Sequence, residues 1–156
     1  MSGSGNVCWR TVLAVLRPGC QSGRIGKDER NWAHLKNILI VDDSPAVRRS
    51  LRALLGRRDD WEVCGEAENG REGIDKALQL HPDLVLLDLS MPVMNGFQAA
   101  RELQRLLPRV PILMFTNFSN AQIEREAFAA GVTAVKSKSE SVDSLFGSIQ
   151  SLLTMA

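Results

Sequence analysis

Leu84-Val85-Leu86-Leu87-Asp88-Leu89-Ser90-Met91-Pro92-Val93-Met94-Asn95-Gly96 opens on four apolar residues in a row and then turns on an acid. An apolar run without polar alternation fits a strand buried on both faces, as in a parallel sheet. Four other runs have the same character: Ile38-Leu39-Ile40-Val41, Trp61 to Gly65, Ile112-Leu113-Met114-Phe115 and Val132 to Val135. The stretches between them carry helical spacing. Val47, Leu51, Leu54 and Leu55 lead; Ile74, Ala77 and Leu78 follow, then Ala100, Leu103 and Leu107, then Ile123, Ala127 and Ala130. Val142, Leu145, Ile149, Leu152 and Leu153 predict the core stripe of a last helix, with Phe146 at its edge. Ser44-Pro45 reads as an N-cap with a first-turn proline, Gly56 and Gly131 as helix ends, and Pro108 as a stop. Five strands alternating with five helices, with no repeat and no second domain, predict right-handed βαβ units in an open, doubly wound α/β sheet.

In such a sheet ligands bind beyond the carboxyl ends of the strands, so the residues that end each strand carry the function. The first strand ends in Asp42-Asp43, the third in Asp88 and the fourth in Thr116, and the fifth runs into Lys136-Ser137-Lys138. If the first, third and fourth strands are neighbours, three carboxylates converge. Two such charges ~4 Å apart repel by roughly 4 kcal/mol at an effective dielectric near 20, so the cluster calls for a cation or protons. Hard oxygen ligands with room for water suit Mg²⁺. A carboxylate beside Mg²⁺, a lysine and a hydroxyl can accept a phosphoryl group as an aspartyl phosphate. Taken singly, each residue has a plainer reading: Asp43 as a helix cap, Asp88 as turn chemistry, Thr116 as a strand end, Lys138 as a solvated charge. Their joint placement at strand ends argues for a site.

Residues 37–155 resemble the receiver domain of two-component response regulators. Val41-Asp42-Asp43-Ser44-Pro45, the spacing Asp88-x-x-Met91-Pro92-x-Met94-x-Gly96, Thr116, and Gly131 through Lys138 carry the resemblance. It implies a flavodoxin-like fold, a five-stranded parallel sheet in the order 2-1-3-4-5. It implies Asp88 as the phosphoacceptor. Asp43 would hold Mg²⁺ directly, Asp42 through water, and Ser90 through its backbone carbonyl. Thr116 would hydrogen-bond the phosphoryl oxygen. The lysine seven residues after the glycine, Lys138, would pair with it, and Lys136 is the second choice. The expected role is a single-domain response regulator in the cytoplasm, a phosphoacceptor rather than an enzyme. Phosphoryl groups would come from a histidine kinase or phosphotransfer protein. Output would pass to a protein partner, or to a second copy, through the fourth helix, fifth strand and fifth helix. The alternatives are the receiver half of a longer transcriptional regulator and a pseudo-receiver scaffold that is not phosphorylated. Three positions depart from the family pattern: Val135 stands where Tyr or Phe is usual, Asn117 where a small residue is usual, and Ser139 where Pro is usual. With no ring at position 135, Thr116 is expected to act on the Asn117-Phe118 loop instead.

Composition narrows the field. The chain has 156 residues, 44% hydrophobic and 24% charged, which excludes disorder throughout. Residues 1–36 hold six Lys/Arg and two Asp/Glu, a net of +4, and residues 37–156 hold thirteen and sixteen, a net of −3. A slightly acidic folded part does not suggest nucleic acid as a partner, and no apolar run approaches a membrane span. Residues 1–36 are expected to form a poorly ordered extension. Its run Val12-Leu13-Ala14-Val15-Leu16 is too short for a secretory segment. Gly26-Lys27 is no phosphate loop, since Gln21 and Asp28 stand at the positions that need Gly and Ser/Thr. Ser44 and Ser90 stand where a dehalogenase-like phosphatase needs the second Asp of Asp-x-Asp. The arginines of the first helix (Arg48, Arg49, Arg52, Arg57, Arg58) read as a solvated face, with kinase docking and DNA contact as rival readings.

Overall fold

A computed structural model describes residues 35–156; the readings made for residues 1–34 lie outside the described residues. The elements follow in strict alternation: β1 (Lys36–Val41), α1 (Pro45–Leu55), β2 (Trp61–Ala67), α2 (Gly70–Leu80), β3 (Leu84–Leu87), α3 (Gly96–Leu106), β4 (Ile112–Thr116), α4 (Ala121–Ala129), β5 (Ala134–Ser137) and α5 (Val142–Met155). All neighbouring strands pair in parallel, in the order β2-β1-β3-β4-β5.

The continuous apolar runs are explained by two cores, one on each face of the sheet. Leu39, Val41, Val85, Leu87, Ile112 and Met114 pack with α2, α3 and α4 residues such as Ile74, Ala100, Leu103 and Ala127. Their alternate neighbours Ile38, Ile40, Leu84, Leu86 and Leu113 pack with Leu51 and Leu55 of α1 and Leu145, Ile149, Leu152 and Leu153 of α5. Successive strand residues face opposite sides, so a strand covered twice has no polar side.

Helix starts follow the capping chemistry. Ser44, Asn69, Asn95, Asn120 and Ser141 each accept a backbone N–H of the first turn through their side chains. At Asn95 the pairing is reciprocal, with Gln98 closing a capping box.

Three expectations shift, the first being that Lys36, read as the end of the extension, opens β1. β5 covers Ala134–Ser137 rather than Val132 to Val135. Val132 is spent on ending α4: its N–H bonds to the Ala127 carbonyl and that of Gly131 to Phe128, with Gly131 at φ +94°. Val142 is not a core residue; it opens α5 and is 38% exposed. Phe146 is half-buried, edge-on to Trp61 at a centroid distance of 5.3 Å, and the Arg58 guanidinium lies over the same indole.

Candidate functional site

The strand order reverses between β1 and β3, and the residues that follow these two strands meet there. The Asp88 N–H donates to the Val41 carbonyl at 2.8 Å, which continues the β1–β3 ladder one residue and sets Asp88 beside Asp42. Asp42 and Asp88 are buried and Asp43 is exposed. One carboxylate oxygen from each of the three lies within 4.8 Å of the others.

Local structure fixes each acid. Asp42 accepts the Ser44 N–H at 2.9 Å, so the residue that caps α1 also orients the carboxylate before it. The Asp42 carbonyl accepts from Arg48 at 2.7 Å, and Arg48 and Arg52 both pair with Glu66 at the end of β2. Behind Asp88, the chain folds back so closely that a Cβ on Gly96 would stand 2.3 Å from the Asp88 carbonyl oxygen; only glycine fits. The turn between them is tight. Met94 N–H donates to the Pro92 carbonyl at 2.7 Å across Val93, which sits at φ +67° with its side chain in solvent.

From the other side, β4 ends in Thr116, which is 1% exposed, and its Oγ1 accepts the Phe118 N–H at 3.3 Å. The Lys138 N–H donates to the Thr116 carbonyl, and Lys138 Nζ reaches Asp42 at 2.6 Å and Asp88 at 3.1 Å. Lys136 turns elsewhere, to Glu140 and Ser144 at 3.1 Å each. Of the six residues singled out, Asp42, Asp43, Asp88, Thr116 and Lys138 therefore stand together. Ser90 is exposed in the loop two residues past Asp88.

The electrostatics follow from the count: among the described residues, three carboxylates face one ammonium. Burial pushes the Asp88 carboxyl above its ordinary range and the Asp42 charge adds to this, while Lys138 pulls the other way. Burial opposes the charge on Lys138, but the hydrogen bond to Asp42 and the pairing with Asp88 outweigh it and raise its pKa. A divalent cation would offset the remaining two negative charges, and an all-oxygen donor set suits Mg²⁺ over softer ions. The residues present therefore fit that ion.

Sequence reasoning missed the support of the site. Arg48 reads as part of a solvated basic face, yet its guanidinium is spent on Asp42 and Glu66. Glu140 was passed over entirely. It accepts from Ser144, from the Ser137 N–H and from Lys136, which together hold it down to about 2. The signal available was the spacing Lys136-x-x-x-Glu140-x-x-x-Ser144.

Comparison with known proteins agrees with this geometry. The family model for the response regulator receiver domain matches residues 38–150. The chain is 36% identical over 115 residues to "Transcriptional regulatory protein LnrK" of Bacillus subtilis (strain 168), covering 74% of the chain and 52% of that protein. It is 41% identical over 104 residues to "Protein-glutamate methylesterase/protein-glutamine glutaminase 4" of Hahella chejuensis, covering 65% of the chain and 26% of that protein. Among solved structures, a two-component response regulator of the LuxR family from Aurantimonas sp. SI85-9A1 superposes with a TM-score of 0.73 at 31% identity, covering 76% of this chain and 84% of the other. The chain thus spans about half the length of the first relative and about a quarter of the second. A relative named as a transcriptional regulator leaves the expectation that nucleic acid is not a partner without support. No helix among the described residues is long and apolar enough to cross a membrane.

Proposed function

Because the chain belongs to the response regulator receiver domain family, we propose that it accepts a phosphoryl group on Asp88 from a histidine kinase or phosphotransfer protein. A protein partner then reads the change. The observation that carries this is the position of Lys138 Nζ, within 3.1 Å of carboxylates on two adjacent strand ends with Thr116 beside it.

In the proposed reaction an Asp88 carboxylate oxygen bonds to phosphorus. The bond from phosphorus to the donor atom breaks, and its electron pair leaves with that atom. Lys138 offsets the negative charge of the transferred group, and the Thr116 hydroxyl donates to one of its oxygens. Asp43, Asp88 and the Ser90 carbonyl would hold Mg²⁺, with Asp42 through water, and the ion would supply charge neutralisation. Burial of Asp42 and Asp88 strengthens these interactions by excluding water.

Output is proposed to run through the face of α4, β5 and α5. Val135 is half-buried, whereas Phe118 is 62% exposed and tied to Thr116 through its own N–H. A protein partner, or a second copy, on this face would read the loop. We further propose that it works in the cytoplasm, where its kinase would act. A second reading is the receiver half of a transcriptional regulator. It is favoured by the chain's spanning about half the length of one such relative.

The test is labelling by a small acyl phosphate and by a kinase. Asp88→Asn and a metal chelator should each abolish the label. An Asn variant that still takes up base-labile phosphate would put the acceptor elsewhere.

A further inference from the structure

Lys138 stands just past the end of β5, at the centre of a turn. The Glu140 N–H donates to the Ser137 carbonyl at 3.1 Å, which leaves Lys138 and Ser139 as the two central residues. A lysine ammonium rides on a flexible four-carbon stem, so where Nζ stands depends on how its backbone is held as well as on its pairing with Asp42 and Asp88. Where the family pattern has proline after the lysine, Ser139 stands here with a free N–H, and that N–H is used: it donates to Ser137 Oγ at 3.2 Å. The two hydroxyls also bond each other at 2.7 Å.

The Glu140 side chain ties this turn to its surroundings in three directions. One oxygen accepts the Ser137 N–H at 3.1 Å, on the strand side of Lys138. The other accepts from Ser144 Oγ at 2.7 Å, in the first turn of α5, and from Lys136 Nζ at 3.1 Å. Capping α5 does not require this carboxylate, because Ser141 already accepts the Ser144 N–H at 3.2 Å. A lone exposed Lys–Glu pair would count for little. Three convergent donors spanning Lys136 to Ser144 form a clamp around the lysine that faces the reaction.

We propose that Glu140 is a positioning residue for phosphoryl transfer: its carboxylate locks the Ser137–Glu140 turn against α5 and so sets where the Lys138 ammonium stands beside Asp88. This rests on the proposal that Lys138 serves the phosphoryl group on Asp88. Glu140 acts through the loop, not on the reacting atoms.

The experiment measures the rate of Asp88 phosphorylation by acetyl phosphate at saturating Mg²⁺, together with Mg²⁺ affinity, in the full chain. Glu140→Ala should slow the maximal rate about 10-fold, as expected for a misplaced catalytic group, with Mg²⁺ affinity retained. Glu140→Gln keeps an oxygen for the Ser137 N–H and should stay within about threefold of the parent. If Glu140→Ala does not fold, Ser144→Ala carries the test, and it should slow the rate by a smaller factor. Parent-like rates in Glu140→Ala or Ser144→Ala, alongside a slowed Lys138→Ala, would overturn the proposal. So would a loss of Mg²⁺ affinity in step with rate, which would indicate general loosening. An Asp88→Asn variant that still labels would instead remove the phosphoacceptor reading beneath it.

Discussion

The backbone N–H of Phe118 donates to the Thr116 hydroxyl oxygen at 3.3 Å, so one hydrogen bond ties the buried end of β4 to the backbone that carries the exposed ring. A Thr116 hydroxyl drawn toward a phosphoryl oxygen would still accept from Phe118, so a shift of Thr116 would carry the Asn117-Phe118 loop with it. A ligand shifts such an equilibrium only by its differential interaction with the two states. The Phe118 amide resonance should therefore move on addition of a phosphoryl mimic with Mg²⁺. In Thr116→Ala it should stay still while Asp88 still binds the mimic. An unmoved Phe118 in the parent, with changes confined to another face, would rule out this route.

The two candidate lysines should separate cleanly in a melting experiment. Lys138 is 13% exposed and balances two buried acids, so Lys138→Ala leaves both uncompensated. Breaking such a pair costs about 3 kcal/mol, and added Mg²⁺ should recover part of it. Lys136 sits in a partly exposed network with Glu140, so Lys136→Ala should cost about 0.5 kcal/mol. Equal losses would assign the ion pairing wrongly.

Val93 holds a left-handed φ of +67° with a branched side chain that is 84% exposed. That conformation costs an L-residue roughly 1–2 kcal/mol, and glycine adopts it freely while losing more entropy on folding. Val93→Gly should raise stability by about 0.5–1 kcal/mol, read from denaturant midpoints. A lowered midpoint would mean that the side chain makes contacts worth more than the strain.

Glu140 gives the acid limb of the stability curve a defined shape. Its ordinary pKa of 4.5 falls to about 2 in the folded chain. The unfolded chain therefore binds this proton first, and stability rises with pH wherever it does so. The contribution of Glu140 is complete above about 4.5 and is lost as pH falls toward about 2. Glu140→Gln should flatten the curve in that window and leave it parallel to the parent above pH 6. An unchanged acid limb would show that the three donors do not discriminate between the charged and neutral forms.

The sheet was legible because strands covered on both faces cannot hide their apolar runs, and because Ser44, Pro45 and Pro108 mark the helices locally. β5 was misplaced for a physical reason: Val132 is as apolar as a strand residue, but its N–H closes the end of α4. Val142 misled through spacing, since a first-turn residue can match a helical stripe and still face solvent. Strand-end acids announced the site. Spacing did not reveal that Asp43 alone of the three is exposed, nor that Arg48 and Glu140 brace the acids and the lysine. Lys136 and Lys138 share a strand parity, yet a turn intervenes and sends the two ammoniums apart. Such braces depend on which side chains meet across elements, and periodicity carries no record of that.

Asp42 and Lys138 touch at 2.6 Å although 96 residues separate them along the chain. At roughly 5–20 residues per second, a ribosome needs on the order of 5–20 s to travel between the two. Over the second half of that interval the nascent chain carries Asp88 without the ammonium that completes its surroundings. The pairing of Asp88 with Lys138 therefore forms only once synthesis has passed the last strand of the sheet.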